Sequence, residues 1–209
     1  MEQTNNEHRD FLYYVVKQQD KGDLNKDEVI VNGALFIIAG TGTTASLLTG
    51  LFNLLTRAEN KHILDNLTKE IRDNFKSDAY LNFQALNALA YLSAVIDEGL
   101  RKFPSAPIGF TRSVLAGSDA VCNEYLPGGT TVSRWLDRNG ASTNRDGDKV
   151  TATIMEMRLI IGKLLWWNDV EGVEGNDVWD PRDDYARMKV YTNWIKPRLK
   201  VRLSPRNDI

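Results

Sequence analysis

No charged side chain occurs between Val29 and Thr56. Asp27 and Glu28 precede this run and Arg57 closes it. Acids before and a base after complement the two ends of a helix dipole. The run is apolar, yet Ala39-Gly40-Thr41-Gly42-Thr43-Thr44 breaks it in the middle. A glycine inside a helix costs about 1 kcal/mol relative to alanine, so small and hydroxylated residues at mid-helix imply that something lies close to that face. Three other readings fit the same stretch. Its length suffices for a membrane span, although Asn32, Asn53 and the Gly/Thr cluster are poor lipid neighbours. Gly40-x-Gly42-x-x-Ala45 after a strand over Ala34 to Ala39 would match a dinucleotide-binding turn, with Glu59 as the ribose acid. A buried core helix without a ligand is the third.

The rest of the composition excludes more than it selects. A net charge of -2 gives no electrostatic case for nucleic acid. One cysteine, Cys122, rules out an intrachain disulfide, and His8 and His62 lack metal-ligand spacing. The polar stretch after Met1 contains no signal peptide or amino-terminal anchor, so the chain as given is expected to be soluble or cytoplasmic.

Along the chain, residues 1–24 form a lead-in, with a short helix expected over Phe11 to Gln19 and a turn at Gly22-Asp23. Residues 25–57 form the long helix, capped by Asn25. Residues 58–103 read as helices: Ile63, Leu64, Leu67, Ile71 and Phe75 mark one apolar face. Leu89, Leu92, Ile96, Leu100 and Phe103 mark another, on a helix from Phe83 to Phe103 capped by Asn82. Glu98 and Arg101 share a face there, which by itself implies a surface ion pair of about 0.2–0.5 kcal/mol. Residues 104–136 read as a β region, with Pro127-Gly128-Gly129 at its turn and Cys122 in a strand beside Val121. Residues 137–150 are a polar loop. Residues 151–209 hold a helix over Thr153 to Trp167, with Met157, Ile160, Ile161, Leu164 and Leu165 on its apolar side. An acidic loop from Val170 to Tyr185 and an alternating strand over Leu199 to Leu203 follow.

Three pieces occur in order: Ala39-Gly40-x-x-Thr43-Thr44, then Glu98-x-x-Arg101, then Pro127-Gly-Gly-Thr-Thr131. Together they resemble the carboxy-terminal half of a cytochrome P-450, a haem-thiolate monooxygenase. Tyr91 to Arg101, Pro107 to Arg112 and Met155 to Leu159 resemble further stretches of that family, and Trp194 to Pro197 with Val201 to Arg206 resemble the terminal hairpin of its fungal members. The expected fold is mainly α with small β hairpins, a single partial domain of an incomplete cytochrome P-450 fold. The resemblance implies haem as cofactor, with Ala39 and Gly40 lining its distal pocket and Arg112 pairing with a propionate. It implies Thr43 as the hydroxyl that assists oxygen activation, Gly42 standing where the family usually has an acid. Glu98 and Arg101 become buried structural residues, completed by Arg134. A small organic substrate and an NADPH-dependent reductase are the implied partners, and full-length relatives are usually anchored at the endoplasmic reticulum.

The family's Phe-x-x-Gly-x-Arg-x-Cys-x-Gly motif, whose thiolate binds the iron, does not occur in this sequence. Counting back from Met155, its cysteine position falls on Gly147, and Cys122 lies in the earlier hairpin. Val132 and Arg134 nearly touch where the family has a long segment, and a second segment is expected to be missing between Asp137 and Thr151. The sequence therefore predicts a monooxygenase relative with little or no activity of its own. The alternative is a non-catalytic helical remnant that binds a partner, or itself, through exposed apolar faces.

Overall fold

A helix of 30 residues, α2 (Lys26–Leu55), contains almost the whole uncharged run. Its start is a capping box: the Glu28 amide donates to Asn25 Oδ1 at 2.9 Å and the Asn25 amide donates to Glu28 Oε2 at 2.8 Å. The strand needed for a dinucleotide turn is absent, because Ala34 to Ala39 are helical. The computed structural model describes residues 11–20, 22, 24–107, 111–117, 119–121, 124–132, 152–173, 179, 188–190 and 194–206. The expectations for residues 1–10, Ile108 to Phe110, Cys122, Arg134 and the 137–150 loop fall outside them.

Two compact units divide the chain, residues 1–42 and 43–209. The first holds α1 (Phe11–Asp20) and the opening turns of α2. In the second, α3 (Lys61–Asn74), α4 (Phe83–Asn87), α5 (Ala90–Lys102) and α6 (Ala152–Trp167) pack with the closing turns of α2. Their shared core includes Leu51, Leu55, Leu67, Ile71, Leu92, Ile96, Ile161 and Leu165. Each such side chain contributes roughly 1.5–3 kcal/mol by burial. Four two-stranded antiparallel sheets complete the described fold: β1 (Arg112–Ser113) with β4 (Thr131–Val132), β2 (Asp119–Val121) with β3 (Glu124–Leu126), β5 (Asn168–Gly172) with β8 (Val201–Pro205), and β6 (Lys189–Val190) with β7 (Trp194–Ile195). The mainly α class with small β hairpins is the observed one.

Several local expectations change. The helix expected over Phe83 to Phe103 is two, because Leu89 turns extended between α4 and α5. Glu70, on α3, accepts the Tyr91 and Leu92 amides at 2.9 and 2.8 Å and so caps α5 from a distance. Ile160 remains exposed on α6 while Met157, Ile161 and Leu165 are buried. The loop expected from Val170 begins as strand β5, because its partner β8 runs Val201 to Pro205, two residues beyond the expected strand. The turn before β4 needs both its glycines. Gly129 has φ +81°, and a Cβ on Gly128 would lie 2.9 Å from the Leu115 and Ala116 carbonyls.

Candidate functional site

The middle of α2 changes character at the Gly/Thr cluster. Before it, Ala39 is exposed and Gly40 half-buried, with open space where a Gly40 Cβ would stand. Thr43 is half-buried, whereas Thr44 and Ser46 are each only 4% exposed. A buried hydroxyl needs a partner. Thr44 Oγ1 donates to Glu156 Oε2 of α6 at 3.4 Å, and Lys196 Nζ donates to Ser46 Oγ at 3.3 Å. Burial holds the Lys196 ammonium below the usual lysine pKa. These long-range partners, 112 and 150 residues away, leave no local sequence signal.

Glu98 and Arg101 form a two-pronged pair on α5. Arg101 Nε donates to Glu98 Oε2 and Nη2 to Oε1, both at 2.6 Å. The burial implied by the resemblance is not found: the two side chains keep 53% and 34% of their exposure. One turn of helix between them suffices for the pair, with no enclosing element required. The hydrogen bonds from Arg101 hold the Glu98 carboxyl below its ordinary pKa against the opposing effect of burial. Arg112 lies exposed in β1.

Glu98 also lines a cavity of about 380 Å³. Leu51 and Leu54 of α2, Ile63 of α3, Tyr91 and Val95 of α5, Phe103 and Trp179 form most of its apolar wall. Trp179 is 1% exposed, its ring lies tilted against Phe103 with centroids 5.6 Å apart, and its carbonyl accepts from Arg57 Nη2 at 3.0 Å. Neither Thr43 nor Arg112 is on this wall. In the sequence Arg57 is only the charge that ends the run, and Trp179 lies inside an acidic stretch. A buried tryptophan there was visible only as one large side chain among acids.

Within residues 43–209, Arg112 is thus an exposed cationic fork and Glu98 and Arg101 a bridged pair. No group of three or more potential metal ligands occurs among the described residues.

A mainly helical fold with this ordered set of motifs defines a class, the haem-thiolate monooxygenases. The family model "Cytochrome P-450" matches residues 1–141. The cytochrome P-450 monooxygenase aba2 of Botryotinia fuckeliana is 34% identical over 95% of this chain and 45% of its own length. The cytochrome P-450 monooxygenase astA of Talaromyces wortmannii is 31% identical over 96% of this chain and 46% of its own. The averantin hydroxylase of Dothistroma septosporum is 29% identical over 89% of this chain and 41% of its own. This chain belongs to the cytochrome P-450 family. It spans less than half the length of the curated relatives it matches. The alignment with the Botryotinia protein covers 241 positions, but 95% of 209 residues is only about 199, so about 42 aligned positions have no residue here.

Proposed function

We propose that this chain derives from a monooxygenase that inserts one oxygen atom into a small organic substrate, and that the chain itself does not carry out the reaction. The family assignment carries the first half, and the missing Phe-x-x-Gly-x-Arg-x-Cys-x-Gly motif carries the second. The unmatched positions against the Botryotinia relative support lost internal segments, and a family match that stops at residue 141 supports placing one near the expected haem loop. When bound, haem supplies oxygen activation to this family, drawing electrons from an NADPH-dependent reductase. In the proposed parent site, Ala39 and Gly40 leave room on the helix face, Thr43 offers a hydroxyl and Arg112 pairs with a carboxylate of the cofactor. Glu98 and Arg101, with Arg134, serve as a structural lock. The family is often membrane-anchored. Among the described residues α2 is long and apolar enough to cross a bilayer, although its closing turns are buried in protein.

The test is a carbon monoxide difference spectrum of the chain expressed with added haem and then reduced. No thiolate-type Soret band is expected. A red-shifted thiolate band would assign the ligand to Cys122, the chain's one cysteine, and overturn the proposed inactivity.

A further inference from the structure

The cavity beside Glu98 has the dimensions of a small-molecule site. Its volume of about 380 Å³ lies within the roughly 300–1,000 Å³ of such pockets. A dry cavity of about 150 Å³ holds one benzene ring, so this one has room for two fused rings and a short substituent. Leu51, Leu54, Ile63 and Val95 give those rings an apolar wall. The half-buried ring of Tyr91 also lines it, which favours an aromatic ligand. Ala94 and Glu59 line the cavity and are exposed, so they mark its mouth.

The charges on the wall balance, Arg57 and Lys102 being offset by Glu59 and Glu98. Both oxygens of Glu98 accept from Arg101, and Arg57 Nη2 donates to Asn53 Oδ1 and to the Trp179 carbonyl, each at 3.0 Å. An ionic ligand would lose its hydration there for no net attraction. Trp179 supplies a donor of another kind. Its indole Nε1 is buried and has no hydrogen-bond partner among the described residues. A buried donor left in that state is costly. A small rotation of the indole toward the cavity breaks no hydrogen bond of that N–H, and a ligand carbonyl can then accept from it.

We propose that the cavity binds a neutral bicyclic aromatic carbonyl compound, with its rings against Leu51 and Val95 and its carbonyl oxygen accepting from Trp179 Nε1. Haem plays no part in this binding, so the carbon monoxide spectrum can take either outcome without affecting it.

The experiment titrates the full chain with two probes of nearly the same shape, methyl naphthyl ketone and ethylnaphthalene. Affinity is read by calorimetry, and the indole N–H resonance of Trp179 by NMR, that resonance being identified by its loss in Trp179→Phe. The ketone is expected to bind about fivefold tighter than the hydrocarbon, the worth of one net hydrogen bond, and to shift the Trp179 resonance. Trp179→Phe keeps an apolar ring and removes the donor, so it should bind the two probes about equally. Ala94→Trp, at an exposed position of α5, should keep the helical circular dichroism, obstruct the mouth and weaken both probes by about tenfold or more. Binding of neither probe by the parent chain overturns the proposal. Equal binding of both probes by the parent overturns the assigned hydrogen bond, as does a ketone preference that survives in Trp179→Phe. Unchanged affinities in Ala94→Trp would place the probes outside this cavity and overturn it as well.

Discussion

Glu98 and Arg101 illustrate what a short motif specifies. Their spacing alone places them on one helix face and predicts an ion pair, and that pair forms with both prongs at 2.6 Å. Spacing does not set their surroundings, and both side chains keep enough exposure for water and salt to weaken the attraction. Glu98→Gln is therefore expected to cost less than about 1 kcal/mol, measured by urea denaturation at neutral pH. The sign of the pH dependence follows from the depressed carboxyl. The contribution is complete above the unfolded glutamate value of about 4.3 and is lost as pH falls through the lower folded value. Parent and variant should converge in stability at the acid end. Divergence there would mean that Glu98 acts through something other than its charge. Thr43 and Thr44 make a similar contrast: the motif directs attention to the half-buried Thr43, while Thr44 is buried and donates to Glu156.

At the scale of elements, the ends of helices were legible wherever the cap is local. Asn25 and Asn82 both accept from amides three residues on. The boundary between α4 and α5 was not legible, because Glu70 caps α5 from a different helix. A second feature hidden from local pattern is the crossing of α2 at Gly50. A Cβ there would overlap the Phe103 ring, which is held at 5.6 Å from Trp179 and stacked at 5.2 Å on Trp194. Alanine gains about 1 kcal/mol over glycine in a helix, but overpacking costs about 1–3 kcal/mol. Gly50→Ala should therefore lose up to about 2 kcal/mol net, read as a lower urea midpoint. A stabilised variant would show that the Phe103 ring moves aside freely.

The whole molecule is asymmetric in what its apolar residues achieve. Leu51 is 3% exposed and Ile38 is 66% exposed, though both lie in the same uncharged run. Leu51→Ala should cost about 2–5 kcal/mol. Ile38→Ala should fall within about 0.5 kcal/mol of the parent. Calorimetry of both variants checks this. Equal losses would mean that the opening half of α2 is enclosed in the isolated chain.

The sequence by itself determined the family, the mainly helical class and the absence of the thiolate motif. These depend on residue identity and short-range spacing. Only the tertiary structure decided which part of the uncharged run is core, which carboxylate caps α5, where β5 begins, and that Trp179 lines a cavity beside Glu98. Each of these depends on partners far apart in the chain. Hydrophobic burial and distant hydrogen bonds are non-local, so neither period nor motif can assign them.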